Sequence, residues 1–204
     1  ANVYLHYVLD LWFEKCIKKQ LYGEAYLVRF ADDFLIMFQY ERDAQRVYEA
    51  VIKRMELFGL ELSKEKTRIL PFGRYSGSRE TFDFLGFTHF NSKTRKGYYS
   101  VGHKISRKKK KQFKSNLKKW VKENRNTQFD EFMKTLNKKL TGSVNYYSLS
   151  GMIKEVRNLW IHSLYVTFKW LNRRSQRRSF KLERFYEIWN DRIIHPYIHV
   201  DIWS

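Results

Sequence analysis

The sequence predicts an α+β fold that gives way, near residue 102, to an all-helical region. Three observations predict it. Short apolar runs broken by polar or glycine-containing turns recur before that point. A stretch of helical-period apolar residues lies among them. Past residue 104 the strand signals vanish and long, strongly charged stripes with helical spacing take over.

Residues 2–19 place Tyr4, Val8, Leu11 and Trp12 on one helical face, and Gly23 then interrupts the pattern. AYLVRFADDFLIMF (25–38) is two apolar runs around a short polar turn, the pattern of a β-hairpin. Over 41–58, Ala44, Val47, Tyr48, Val51, Met55 and Phe58 recur at helical spacing, with Gly59 where a C-terminal cap belongs. Leu60–Leu70 read as a strand with a turn around Ser63–Lys66, and glycines 73 and 77 mark a loop. TFDFLGFTHF (81–90) predicts a second hairpin, turning near Gly86 or after His89, and residues 91–103 read as a polar connection. Beyond it, Phe113, Leu117, Trp120 and Val121 form one stripe. Phe129, Phe132, Met133, Leu136 and Leu140 form another, with Thr127 as its expected N-cap, and Val156, Leu159, Trp160, Tyr165 and Phe168 a third. Boundaries near 102 and 173 divide the chain into 1–101, 102–173 and an Arg-rich 174–204.

Composition narrows the function classes. Of the 204 residues, 43% are hydrophobic and 18% aromatic, which excludes a disordered polycation. Lys and Arg number 40 against 21 Asp and Glu, a net charge of +19. A surplus of that size repels itself unless a polyanion neutralises it, and nucleic acid gains by releasing condensed counterions. Cys16 is the single cysteine, so no disulfide within the chain and no cysteine-rich zinc site can form, and a reduced, intracellular setting is expected. No apolar run reaches the ~18 residues of a membrane span. Asp10, Glu14 and Lys15 interrupt the N-terminal stretch, which does not read as a signal peptide. The chain opens at Ala1 inside a helical pattern without a starting Met, so a fragment is expected.

The sharpest chemical feature is Phe30-Ala31-Asp32-Asp33 at the tip of the first hairpin. Two aspartates there can hold divalent metal through hard oxygen ligands, as Mg²⁺ requires. Two such ions about 4 Å apart would clamp the attacking and leaving oxygens of a phosphoryl transfer. Ala31 is small enough for a nucleic-acid backbone to approach. The alternative is that Asp-Asp is simply favourable turn chemistry facing water. The basic segment comes next. Between 104 and 125 stand Lys104, Arg107, Lys108, Lys109, Lys110, Lys111, Lys114, Lys118, Lys119, Lys122 and Arg125, opposed locally only by Glu123. Pairing four residues apart along a helix cannot neutralise so many cations, which leaves an arc for phosphates. Arg173, Arg174, Arg177, Arg178, Lys181 and Arg184 form a second patch, interleaved with Trp170, Phe180, Phe185 and Trp189. Arginine suits phosphate through its bidentate fork, and the aromatics either stack on unpaired bases or fill a small core. His195 and His199 stand four apart, but Pro196 breaks a helix there, so packing or surface roles are expected rather than metal binding.

VRFADDFLIMF (28–38) resembles the catalytic hairpin of group II intron reverse transcriptases of the maturase type, whose box usually begins with Tyr where this chain has Phe30. The resemblance runs on in order through NVYLHYVLDLWFEK (2–15), GLELSKEKTRIL (59–70), FDFLGF (82–87), GSVNYY (142–147) and KWLNRRSQRRS (169–179). It implies an incomplete right-hand polymerase: part of the palm, a helical thumb and a basic tail. It implies RNA-directed DNA synthesis with Mg²⁺ held by Asp32 and Asp33, and a maturase role in splicing the intron. Lys66 then resembles the lysine beside the incoming dNTP. Leu85-Gly86 resembles the primer grip, with Phe30 and Ala31 beside the primer. Lys108, Lys109, Lys110, Lys111, Lys114 and Lys118 would grip an RNA–DNA duplex. The tail arginines and Lys181 would bind intron RNA or target DNA. By the same resemblance, a third metal-binding aspartate and the fingers lie upstream of Ala1. The chain alone is therefore not expected to polymerise without its parent or a separate N-terminal chain. No zinc-dependent endonuclease is expected after the tail, and a bacterial cytoplasmic setting is. Two other readings stay open: a non-catalytic, intron-RNA-binding splicing factor, and a reverse transcriptase from outside introns, of the diversity-generating or defence type.

Overall fold

A computed structural model describes residues 2–63, 65–174 and 179–198. The chain divides into two units: Ala1–Leu85 with Asn91–Ser100, and Gly86–Phe90 with Val101–Ser204.

The first unit opens with a helical stretch of mixed pitch. An α-turn, α1 (Asn2–Leu5), runs into π-helical His6–Asp10 and Phe13–Ile17 and a 3₁₀ turn at Lys18–Gln20. The widening is visible in the hydrogen bonds: Leu11 N–H reaches the His6 carbonyl and Lys18 N–H reaches that of Phe13. It also explains a displaced core face. A period of 3.6 selects Val8, Leu11 and Trp12; the wider turns keep Val8 buried, bury Leu9 and Phe13 with it, and leave Leu11 and Trp12 half-buried. Tyr4 stays exposed, with its hydroxyl donating to the Phe58 carbonyl at 2.7 Å.

Strands β1 (Ala25–Phe30) and β2 (Asp33–Phe38) pair antiparallel from Ala25↔Phe38 to Phe30↔Asp33. Strict alternation turns Ala25, Leu27, Phe34, Ile36 and Phe38 toward α2 (Glu41–Leu57), whose Val47, Val51 and Met55 complete the core. The helix ends as its glycine predicts. Gly59 takes φ +68° and donates to the Glu56 carbonyl, while Leu60 donates to that of Met55. Asp43, buried in the first turn of α2, accepts from the N–H groups of Tyr22 and Gly23 at 3.0 and 3.1 Å and so fixes the chain's entry into β1. Leu60–Leu70 do not form the expected strand: Leu60 and Leu62 pack on the core, but no described segment supplies a ladder partner.

The second sheet has the order β3-β4-β5, from Thr81–Phe84, Phe87–Lys93 and Tyr99–Ile105. Leu85 and Gly86, at φ 50° and 83°, form its first tight turn; positive φ at both positions is the type I′ pattern that matches strand twist. β5 occupies a stretch whose polarity suggests a plain connection. The period-two series Tyr99, Val101, His103, Ile105 is its one signal in the sequence. Gly102 lies under the Phe90 ring of the neighbouring strand, where an added Cβ would come within 2.5 Å of ring carbons. Gly102→Ala is therefore expected to displace that ring and destabilise the second unit by about 1–3 kcal/mol, read as a shift in its urea midpoint.

Among the described residues the second unit holds the helices α3 (Arg107–Asn124), α4 (Phe129–Tyr147), α5 (Ile153–Leu171) and α6 (Leu182–Arg192). Ser106 caps α3, its Oγ accepting from Lys109 N–H at 3.3 Å. The α4 cap is Gln128, whose Oε1 accepts from Glu131 N–H at 3.0 Å, one residue beyond the expected Thr127. On α5 the buried face runs through Val156, Leu159, Trp160, Leu164 and Leu171, and the predicted Tyr165 faces solvent. Part of the expected 174–204 segment packs into the helical core. Phe185, Trp189 and Ile193 are buried in one core with Leu117, Phe132 and Leu136, because the apolar side of α6 has no other surface to cover it. His195 lies against the Trp160 ring at 5.6 Å; His199 lies outside the described residues. No helix among the described residues is long and apolar enough to cross a membrane.

Candidate metal centre and nucleic-acid interface

The two-residue connection from Phe30 to Asp33 puts Asp32 in the turn and Asp33 at the start of β2. Both are exposed, and neither carboxylate enters an ion pair or side-chain hydrogen bond with the described residues. Two adjacent, uncommitted carboxylates offer the hard oxygen donors that Mg²⁺ takes. No group of three acidic, His or Cys side chains able to hold a metal occurs among the described residues. Ala31 stands at φ 55°, a left-handed conformation that costs an alanine about 1–2 kcal/mol. Phe30 is 64% exposed and shares its face of the hairpin with exposed Tyr26, Val28 and Met37.

Behind the turn lies a contact that the sequence does not suggest. The Arg29 guanidinium forks onto Asp10, Nε to Oδ1 at 2.8 Å and an Nη to Oδ2 at 2.7 Å, and its other Nη donates to the Ala31 carbonyl at 2.7 Å. The hydrogen bond from Arg29, against the opposing effect of burial, holds the Asp10 carboxyl below its ordinary pKa. The two residues stand 19 apart in sequence, and no local spacing signal links them. Lys66 sits in a turn, exposed, its backbone N–H donating to Ser63. No hydrogen bond or ion pair joins it to Asp32 or Asp33 among the described residues.

In the second unit the Gly86 carbonyl accepts from Ser106 N–H at 3.0 Å. A Cβ added to Gly86 would lie 3.5 Å from the Lys109 stem and 3.6 Å from the Tyr147 hydroxyl. Phe87 stacks on Tyr146 at 5.6 Å and meets Tyr147 edge-on at 5.5 Å. Residues of FDFLGF and GSVNYY, distant in sequence, thus share one surface with the start of the basic helix. Leu85 is half-buried at the unit's border. Burial, and then the neighbouring Tyr146, push the Tyr147 phenol pKa up.

Lys108, Lys109, Lys111, Lys114 and Lys118 are exposed along α3, and Lys111, Lys114, Lys118 and Lys122 recur at helical spacing on one side. Lys110 departs from the expected phosphate-binding set. It is half-buried and ion-paired with Glu155 of α5, so the counter-charge missing from its own helix comes from another. Lys122 and Arg125, distant in sequence, join Arg173 around Trp170: the three lie 5.8, 5.4 and 5.6 Å from its ring centroid. Arg174 turns back to donate to the Leu171 carbonyl at the end of α5, and Lys181 is exposed just before α6. Arg177 and Arg178 lie outside the described residues. Of the tail aromatics, Phe185 and Trp189 are fully buried and cannot stack on bases, and Phe180 is partly buried against the same core.

Comparison with known families adds two matches. Residues 1–89 match the family of reverse transcriptases (RNA-dependent DNA polymerases), and residues 110–187 match the maturase-specific domain of group II introns. No curated protein matches the chain.

Proposed function

The chain belongs to the group II intron reverse transcriptase/maturase family, and on that premise we propose that its first unit carries palm chemistry and its second a thumb that binds nucleic acid. The observation that carries the proposal is the pair Asp32 and Asp33, exposed and without a partner among the described residues, at a two-residue hairpin turn within the reverse transcriptase match. These residues would hold Mg²⁺, which when bound stabilises charge developing on the transferred phosphate. The reaction is attack by a primer 3′ hydroxyl on the α-phosphate of a dNTP. A 3′-oxygen-to-phosphorus bond forms, the bond from the α-phosphorus to the bridging oxygen breaks, the hydroxyl proton passes to solvent water and pyrophosphate leaves. Exposed Phe30 and small Ala31 would lie beside the primer end. Lys66 would steady charge on pyrophosphate or donate a proton to it. Gly86 and Leu85 would grip the primer through their tight turn.

In the second unit, Lys108, Lys109, Lys111, Lys114 and Lys118 would contact phosphates of an RNA–DNA duplex or of intron RNA without reading sequence. Arg173 and Lys181, with the Trp170 cluster, would extend that surface. The maturase-specific match supports an intron partner over a reverse transcriptase outside introns. The test combines two assays in the intact polymerase. Asp33→Asn should abolish Mg²⁺-dependent primer extension on an RNA template while intron-RNA binding persists. Unchanged extension would overturn the catalytic assignment. Splicing assistance with no extension by the unsubstituted protein would favour the non-catalytic reading. For the basic surface, the log–log dependence of RNA affinity on salt should be steep, and Lys111→Ala with Lys118→Ala should lower its slope by about 1.5–2.

A further inference from the structure

Among the described residues, Arg29 is the one side chain that grips the turn itself. It is 13% exposed, and three of its nitrogens are committed, two to Asp10 and one to the Ala31 carbonyl. The Nη that reaches Ala31 also lies 3.3 Å from the Asn2 side-chain oxygen. That carbonyl belongs to the peptide leading directly into Asp32. Ala31 itself is the strained residue of the turn, at φ 55°. A two-residue tip in water, without such a tether, would sample several orientations of that peptide, and with it of the carboxylate that comes next. A planar guanidinium with two donors on a fixed carboxylate cannot swivel, so its remaining donor is presented at a defined place. The fixed carboxylate, Asp10, ends a π-helical segment, where extra helical width brings a side chain out of α-helical register.

We propose that Asp10 and Arg29 are positioning residues for the Asp32–Asp33 metal centre: the Asp10 carboxylate orients the Arg29 guanidinium, which holds the Ala31 peptide and so fixes Asp32 for metal coordination. The inference rests on the reading of that turn as the metal centre, and it assigns Arg29 no contact with substrate. Metal sites depend on carboxylates held to within about 0.5 Å, and the groups that orient them change metal affinity about 10–100-fold when removed.

The probe is Mn²⁺ alone, titrated into the full chain while paramagnetic broadening of the Asp33 amide signal is followed by NMR. Arg29→Lys keeps the charge and the apolar stem but loses the fork; Asp10→Asn removes the anchor and keeps its shape. Both should raise the Mn²⁺ concentration at half-broadening about tenfold or more. Amide exchange at residues 31–33 should quicken while α2 amides stay protected, which verifies that the first unit is folded. A merely structural pair would lower the melting temperature and leave the half-broadening concentration of the folded protein unchanged, and that result overturns the proposal. Asp32→Asn separates the two ideas. If it abolishes broadening while Arg29→Lys and Asp10→Asn do not weaken it, the positioning role falls and the metal centre stands. If Asp32→Asn changes nothing either, the metal centre falls and the positioning role with it.

Discussion

In the intact polymerase, replacing Asp32 by asparagine is expected to lower the rate of RNA-directed DNA synthesis by about 10³-fold or more, equivalent to ~4 kcal/mol of transition-state stabilisation. Asparagine keeps the size of aspartate and one oxygen acceptor but removes the formal charge. Mg²⁺ gives up hydration water reluctantly and selects charged oxygen, so a neutral amide is a poor replacement. Stability should change by less than about 0.5 kcal/mol, because the side chain is exposed and has no ion-pair partner to lose among the described residues. A loss of fold therefore cannot mimic the loss of rate. Steady-state primer extension with saturating template–primer, alongside thermal unfolding, checks both statements. An Asp32→Asn enzyme within a fewfold of the unsubstituted rate would remove the turn from the chemistry.

The second large effect is structural. Trp189→Ala should destabilise the second unit by about 3–5 kcal/mol, the range for large aromatic-to-alanine changes in a core. Trp189 is fully buried, with the Trp160 ring at 5.8 Å and Phe185 at 6.0 Å. The cavity would open among α4, α5 and α6, all of which contribute to this core. Against a typical total of about 5–15 kcal/mol, the loss moves the unit close to unfolding at physiological temperature. Chemical denaturation followed by fluorescence of the remaining tryptophans measures it. Trp170→Ala is the matched control. That ring is only partly buried and carries cations at its surface, so its removal should cost less stability and more RNA affinity. Equal losses of stability from the two substitutions would contradict the assignment of Trp189 to the core and Trp170 to the surface.

What the sequence determined by itself is local. The first hairpin follows from two apolar runs around a short polar turn, α2 from a 3.6-residue period closed by Gly59, and the long charged helices from their apolar stripes. Each is set by neighbours within a few residues, so composition and spacing suffice. The adjacency of Asp32 and Asp33 was equally legible, since a two-residue turn leaves adjacent residues little choice of place.

Tertiary structure decided what distant segments do to one another. The π-helical widening kept Val8 on the buried face but replaced Leu11 and Trp12 there with Leu9 and Phe13. Leu60–Leu70 had strand-like composition but found no ladder partner among the described residues, and a strand without one leaves its backbone donors unpaired. β5 lay hidden in polar residues because its stability comes from pairing rather than from an apolar run. Glu155 withdrew Lys110 from the basic face, and α6 drew Phe185 and Trp189 into a common core. The Asp10–Arg29–Ala31 contact joins a helix end to a hairpin tip across 19 residues. Such a contact depends on where folded backbones meet, and no periodicity along the chain encodes that.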